Sequence, residues 1–451
     1  MNQSALQGRL LYCFSALSTA FILLMLLLLS LLMLSRGLSL FWPAELVQFR
    51  YQEGANTFLV AGEVISKQRL SLQQQADAGY TDVGDGERIL VKQGYTAPGQ
   101  PSFRWYWQTH ISELHYPAEL SVVRVPSLGE LYGYMQQSDA GYHTFQWLSG
   151  NTVTLATEDI ELHLQPNQLT WLDKLKVFAT EWWQFLSREP RSANSAGGIG
   201  PAIVGTLVSV MLMALLVAPI GVMAGIYLHE YAKDGRFVRL VRISVHNLAG
   251  VPSVVFGVFG LGFFVYVLGG SIDQLFYAER LPQPTFGTPG LIWVSLTLAL
   301  LTLPIVIVAT EEGLARVPMS LRLGGYAVGA TKAEVLRKLI LPLAKPAMLT
   351  GVVLAISRAA GEVAPLIFVG VVKYAPSLPI SSEWPFIHTN QQIMSLGFQI
   401  YDVGLQSSNA DAAEPRVYAI ALVLLFIIGS LNVIAMRLRQ RYRSQLRDVQ
   451  L

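Results

Sequence analysis

Charge is scarce in this chain: 14% of its 451 residues are Asp, Glu, Lys or Arg, against about 25% in an ordinary soluble domain. With 52% hydrophobic residues, that scarcity excludes a soluble globular protein and leaves a membrane protein. Cysteine occurs once, as Cys13, which excludes an internal disulfide and gives that residue a packing role in the first apolar run. No G-x-x-x-x-G-K-[ST] stretch occurs, and not even a Gly-Lys dipeptide, so the chain has no phosphate-cradling nucleotide loop of its own. The seven His residues form no cluster with metal-ligand spacing, and no nucleophile and base stand in a recognisable arrangement. No metal or cofactor is expected in this chain, and the net charge of +2 gives no reason to expect a nucleic-acid partner.

What is present is a set of long, predominantly apolar runs. Six are able to cross a bilayer: residues 10–35, 197–228, about 245–267, 291–309, 348–372 and 417–436. The first is too long for a signal-peptide core and lacks a small-residue cleavage pattern, so it reads as a retained helix. Lys and Arg gather between the second and third runs (Lys233, Arg236, Arg239, Arg242), between the fourth and fifth (Arg316, Arg322, Lys332, Arg337, Lys338, Lys345) and in the tail (Arg437, Arg439, Arg441, Arg443, Arg447). The positive-inside rule then puts both termini in the cytoplasm. The resulting expectation is a polytopic α-helical membrane protein of six transmembrane helices. It divides into an N-terminal helix (1–37), an extracytoplasmic β-rich insertion between helices 1 and 2 (38–196), a helical core (197–437) and a basic cytoplasmic tail (438–451).

The insertion alternates polar and apolar residues in short runs such as Asn56-Thr57-Phe58-Leu59-Val60 and Arg88-Ile89-Leu90-Val91, which predicts strands. After it, residues 171–186 carry an aromatic stripe (Trp171, Phe178, Trp182, Trp183, Phe185) at helical spacing. That helix either lies on the membrane surface or packs on the β domain. Residues 191–200 read as a linker.

Within the fifth run stand Arg358 and Glu362. A charge at the centre of a membrane helix costs roughly 2.5–3.5 kcal/mol, so two of them point to a partner, water or a substrate. If the helix begins near residue 348, Arg358 lies about 15 Å in, near mid-bilayer, with Glu362 on the same face. A substrate pathway or gate is one reading of this pair, and a structural clamp between helices is the other. His246, Ser253 and Thr302 read first as helix-interface residues and only second as pathway residues. Gly257, Gly260 and Gly262 read as close helix packing, and Pro219, Pro252 and Pro304 as kinks.

The segment 311–346 carries small residues (Gly324, Gly325, Ala327, Gly329, Ala330) followed by an amphipathic pattern from Thr331, with apolar positions 333, 335, 336, 339 and 340, expected to stop at Pro342. A short helix with a small-residue shoulder is a docking element. Gly329 and Leu339-Ile340-Leu341-Pro342 resemble the coupling loop of ABC-importer permeases, whose pattern is E-A-A, three residues, Gly, nine residues, I-x-L-P. The chain departs from it at Leu323-Gly324-Gly325, where the acid is missing.

Further stretches narrow the resemblance: Gly225-Ile226-Tyr227-Leu228-His229-Glu230-Tyr231, Val251-Pro252-Ser253, Leu303-Pro304-Ile305-Val306 and Ser357-Arg358-Ala359-Ala360-Gly361-Glu362-Val363-Ala364-Pro365-Leu366 together resemble PstA-type permeases of phosphate importers. The resemblance implies a type I ABC-importer permease fold. It implies a PstC-type sister permease, a PstB-type ATPase pair that uses ATP and Mg, a PstS-type phosphate-binding protein, and inorganic phosphate as cargo in the bacterial inner membrane. In that scheme Arg322, Tyr326, Ala327, Gly329, Ala330, Thr331 and Glu334 couple to the ATPase, while Arg358 and Glu362 keep both readings above, substrate pathway or gate and structural clamp. Two other classes remain open on the residues alone: a self-powered secondary anion carrier, and a membrane-anchored receptor or scaffold using the insertion.

Overall fold

A computed structural model describes residues 3–54, 56–77, 86–95, 102–139, 141–148, 151–191, 194, 196–233, 235–375, 377–407 and 410–448. The chain forms two compact units, one of residues 38–183 with 408–415, the other of residues 1–37, 184–407 and 416–451.

The smaller unit is strand-rich, as its alternating text predicts. After the long first helix α1 (Gln3–Ser39) come β1 (Leu46–Glu53), β2 (Asn56–Arg69), the short α2 (Leu72–Asp77), β3 (Glu87–Lys92), β4 (Phe103–Trp107) and β5 (Ile111–His115). These form an antiparallel sheet in the order β4-β3-β2-β1-β5. A second sheet follows from β6 (Ser121–Val125), β7 (Gly129–Asp139), β8 (Tyr142–Trp147), β9 (Thr152–Ala156) and β10 (Leu162–Leu164), in the order β10-β6-β7-β8-β9. On β1, Phe49 and Tyr51 turn inward and Arg50 and Gln52 outward, the period of two that a half-buried strand requires. Tyr106 meets both inward rings, 5.4 Å from Phe49 and 4.7 Å from Tyr51 between centroids.

A chain of ion pairs crosses this unit. Lys92 Nζ on β3 lies 2.5 Å from Glu130 Oε2 on β7, and Arg124 on β6 donates to Glu130 Oε1 at 2.9 Å and to Glu181 at 3.0 Å. Glu181 belongs to α3 (Trp171–Ser187), so the network joins both sheets and this helix.

The larger unit is helical. Six helical segments are long and apolar enough to cross a membrane: Tyr12–Ser39, Gly200–Tyr231, Ser253–Phe276, Leu291–Ala315, Lys332–Ala360 and Ala413–Arg441. They are called spans 1 to 6. Span 2 is α4 (Gly200–Ile226) extended by a π-helical turn, Tyr227–Tyr231. The amphipathic α5 (Arg236–Leu248) precedes span 3, which is built from α6 (Ser253–Phe259), a π-helical stretch Gly260–Gly269 and α7 (Gly270–Phe276). Span 4 is α8 (Leu291–Ala315), the most enclosed of the six. After it come α9 (Met319–Ala327) and then span 5, which consists of α10 (Lys332–Val335), a π-helical turn Leu336–Ile340 and α11 (Leu341–Ala360). Short α12 (Leu366–Val369) and α13 (Leu396–Leu405) lead to span 6 within α14 (Ala410–Asp448). The core gathers Met213 and Val217 of span 2, Val265 of span 3, Val294 and Leu298 of span 4 and Ala355 and Ala359 of span 5.

Several boundaries differ from those expected of the sequence. Span 3 begins at Ser253, not near residue 245, because Pro252 has no N–H to continue a ladder and serves as the residue before the first turn. It is therefore a helix start and not a kink, whereas Pro219 and Pro304 do lie inside their helices. Span 5 covers Lys332–Ala360 in place of 348–372, so the loop after span 4 is shorter than 311–346. Pro342 does not stop the amphipathic helix: the chain runs on through the π turn Leu336–Ile340 into α11, with Pro342 inside the continuous span. The tail continues span 6 as helix to Asp448, and Arg439 donates to Thr350 Oγ1 of span 5 at 3.1 Å. The stretch 191–200 is partly structured, since buried Asn194 donates to Asp402 at 2.9 Å; its Ser192, Ala193 and Ser195 lie outside the described residues. A Cβ at Gly257 would meet Pro365 and one at Gly260 would meet Thr297, as close packing requires, but Gly262 faces open space.

Candidate functional site

Two features of the larger unit carry chemistry, and one helix bears both. The first lies around α9. Its Arg322 donates from Nη1 to Glu230 Oε1 at 2.6 Å and from Nη2 to the Leu314 carbonyl at 2.9 Å. The Glu230 side chain is only 5% exposed, and it stands in the π turn that ends span 2. Lys332, opening span 5, donates to the Glu230 carbonyl and lies 4.8 Å from the Tyr231 ring centroid. Arg242 of α5 donates to the Leu228 carbonyl at 2.8 Å and sits 3.3 Å from Glu311 of span 4. The ends of spans 2, 4 and 5 are thus clasped to α5 and α9 by charge-assisted bonds, each stronger than a neutral one.

Arg322, expected to couple to the ATPase, is bound inside the chain. Its guanidinium is engaged within the chain, because a buried carboxylate such as Glu230 needs a cation beside it. Thr331 and Glu334, also expected to face the ATPase, form a capping box: the Thr331 side chain accepts from Glu334 N, and the Thr331 N–H donates to Glu334 Oε2 at 3.0 Å. Glu311 pairs with Arg242, and Glu312 pairs with Arg316 at 3.7 Å. Gly329 has a φ of +80°, a conformation in which a side chain costs on the order of 1–2 kcal/mol. Ala330 is half-buried, whereas Tyr326, Ala327, Gly329, Thr331 and Glu334 are exposed. Beside them stand Leu323, 57% exposed, and Val328, 84% exposed. These two apolar side chains are absent from the sequence-derived set, although an apolar residue on the outer face of a charged loop is the signal that could have found them.

The second feature is the pair Arg358 and Glu362. Arg358 occupies the last turn of α11, Gly361 caps the helix and Glu362 follows in the turn, its N–H bonded to the Ala359 carbonyl at 3.2 Å. Arg358 Nε lies 3.4 Å from Glu362 Oε1. The two do meet, but at a helix end and not on one helical face. Counted from Lys332, Arg358 lies about 39 Å along the span, which places it toward the far end and not the middle. Gly361 and Pro365 explain the break, since the residue before a proline is pushed out of the helical region. The neighbouring Ser357 donates to Asn432 of span 6.

Of the softer candidates, Thr302 is buried and bonds back to the Leu298 carbonyl at 2.8 Å, a satisfied interface residue. His246 belongs to α5, outside the spans, and contacts the Arg242 carbonyl at 2.9 Å. Ser253 opens span 3. Among the described residues no group of His, Cys, Asp and Glu could hold a metal.

The sequence profile of the family described as binding-protein-dependent transport system inner membrane component matches residues 217–447. The chain belongs to this family. Curated relatives include the phosphate transport system permease protein PstA 1 of Mycobacterium tuberculosis strain H37Rv, 33% identical over 58% of this chain and 76% of that protein. A second is the probable phosphate transport system permease protein PstA of Methanocaldococcus jannaschii, 35% identical over 41% of this chain and 60% of that protein. A subunit of the inward-facing MetNI methionine ABC transporter aligns over 54% of this chain and 96% of its own, at 17% identity and a TM-score of 0.39, a likeness too low to add to the assignment. Both features of the permease, the α9 clasp and the Arg358 pair, fall inside the residues that the family profile matches.

Proposed function

We propose that this permease is the membrane-spanning subunit of an ATP-driven importer of inorganic phosphate in a bacterial inner membrane. The observation that carries the reading is the continuous helix Lys332–Ala360, with the clasped loop at one end and Arg358 at the other. Relatives named as phosphate transport permeases support the cargo, and the Lys- and Arg-rich segments support cytoplasmic termini, with residues 38–196 outside.

In this reading a PstB-type ATPase pair, using ATP and Mg, docks on the exposed rim of Tyr326, Ala327, Val328 and Gly329. Its closure moves the loop. Because Arg322 is tied to Glu230 and Lys332 to the same turn, the loop cannot move without carrying the ends of spans 2, 4 and 5. At the other end of span 5, Arg358 offers phosphate a planar fork of donors. Glu362 holds the guanidinium between passages and repels an anion that lingers. A PstC-type sister permease supplies the second wall of the pathway, and a PstS-type binding protein delivers phosphate. ATP then shifts the population toward the outward-facing form and hydrolysis returns it.

Uptake of phosphate into vesicles containing this chain and its partner subunits tests the proposal. ATP-dependent uptake is expected from the wild type, with a drop of about tenfold or more for Arg358→Gln, equivalent to roughly 1.4 kcal/mol, while the complex still assembles. Full uptake by that variant would remove Arg358 from the pathway.

A further inference from the structure

Helix α5 joins two membrane spans and cannot leave the membrane surface. Span 2 ends at Tyr231 and span 3 begins at Ser253, so four residues stand on either side of Arg236–Leu248, a reach of about 14 Å at most. Arg242 fixes the depth of the helix more tightly. It donates to the carbonyl of Leu228 in the last turn of span 2 and pairs with Glu311 in the last turns of span 4. Span 3 is 24 residues long, about 36 Å against a hydrocarbon core of about 30 Å, so its ends lie at headgroup level. Helix α5 therefore runs among the headgroups, on the side of the α9 clasp. Its Val238, Val241, Val245 and Leu248, at intervals of three, four and three, are half-buried. Beside that row, Phe237 and Leu240 are 76% and 59% exposed, and Leu240 points about 160° away from Arg242 around the helix axis. Arg236 and Arg239 are exposed as well.

We propose that α5 is a binding site for anionic lipid: Phe237 and Leu240 enter the acyl boundary of the leaflet on that side, and Arg236 and Arg239 take the lipid phosphates. Depth and charge together decide the occupant. A helix held at headgroup level by the lengths of its connections meets lipid wherever its surface is open. Charge then selects which lipid. From Lys233 to Arg242 the sequence carries the cations Lys233, Arg236, Arg239 and Arg242 against the single acid Asp234, and Arg242 is already spent on Glu311. An apolar row bordered by guanidinium groups is the pattern of a helix that lies in the plane of an anionic membrane surface. Each Arg can lay its stem over apolar surface while its planar head offers paired donors to a phosphate. The consequence is mechanical. Because Arg242 stands on the same helix, lipid gripped by Arg236 and Arg239 pins the ends of spans 2 and 4 to the headgroup plane.

The test uses the full chain, alone and with the partner subunits proposed above, in vesicles of phosphatidylcholine and phosphatidylglycerol. In a Cys13→Ser background, Phe237→Cys, Leu240→Cys and His246→Cys each carry a nitroxide label. At positions 237 and 240 the label should be severalfold more accessible to oxygen than to a nickel chelate. At position 246, about 120° around the helix from Leu240, the order should reverse. Labels at 237 and 240 open to the nickel chelate would place the row in water, and labels shielded from both reagents would place it against protein; either result overturns the proposal. A fluorescent label on Leu240→Cys should also be quenched severalfold more by nitroxide-bearing phosphatidylglycerol than by equally labelled phosphatidylcholine. Equal quenching would overturn the selectivity for anionic lipid. Adding Arg236→Gln and Arg239→Gln should abolish the difference, and its persistence would remove these two residues from the site. None of these outcomes depends on whether the chain transports phosphate.

Discussion

Glu130 ties Lys92 and Arg124, on two different sheets, to a single carboxylate. Burial alone would raise its pKa, but the two cations beside it hold it down at about 2. A carboxylate depressed in this way contributes stability that is complete above its unfolded pKa and is lost as pH falls toward 2, on the order of 3 kcal/mol in all. Nearby Glu63 is pushed up by burial, with Lys92 opposing the shift, so its contribution runs the other way and weakens as pH rises through its raised pKa. The strand-rich unit should therefore soften between about pH 4.5 and 2, seen as faster amide exchange in β6 and β7. Glu130→Gln should flatten that pH dependence, and an unchanged acid profile would shift the role to another group. Residue pairs were legible in the sequence only when close along it. Arg358 and Glu362 announce themselves as two charges four apart in an apolar run, whereas Glu230 and Arg322 lie 92 residues apart and nothing local links them. Arg322 reads as a free docking cation until the fold supplies its partner.

Helical elements were legible as apolar runs, and their ends were not. Span 4 was found almost whole because nothing interrupts residues 291–309. Span 5 was displaced because Lys338, Pro342 and Lys345 disguise helical continuity between the loop and the membrane, and the π turn before Pro342 leaves no signature in hydropathy. Span 3 was displaced in the other direction, since the apolar residues of α5 extend its run backward past Pro252. The clasp that joins these elements gives a specific expectation. Glu230→Gln leaves Arg322 buried without its counter-charge, a loss typically of 3–5 kcal/mol when one partner of a buried pair is removed. Phosphate moved per ATP hydrolysed should fall severalfold while nucleotide hydrolysis persists. Reversing the pair, Glu230→Arg with Arg322→Glu, should recover part of that ratio. A normal ratio in Glu230→Gln would mean that the clasp holds the loop but does not transmit its movement.

At the scale of the whole chain, the division into a strand-rich unit and a helical one was legible from composition alone, because alternation over residues 38–183 and uninterrupted apolar runs after residue 197 are physically different texts. The end of α3 is not legible in the same way: Phe185 groups with the helical unit, where Arg416 lies 5.3 Å above its ring. A chain with no phosphate-cradling loop of its own should do nothing alone: purified and reconstituted without an ATPase, it should accumulate no phosphate against a gradient. Accumulation driven by an ion gradient under those conditions would make it a self-powered carrier. Span 5 also fixes the mechanics of the assembled machine. A rigid helix transmits rotation undiminished along its axis, and side-chain tips lie about 5–6 Å from that axis. If the loop end of Lys332–Ala360 turns by about 30°, the Arg358 guanidinium sweeps an arc of about 3 Å. Because the Glu362 N–H is bonded to the Ala359 carbonyl, the turn that bears it is carried with the helix, so a modest twist applied at one membrane surface moves the two charges together near the other.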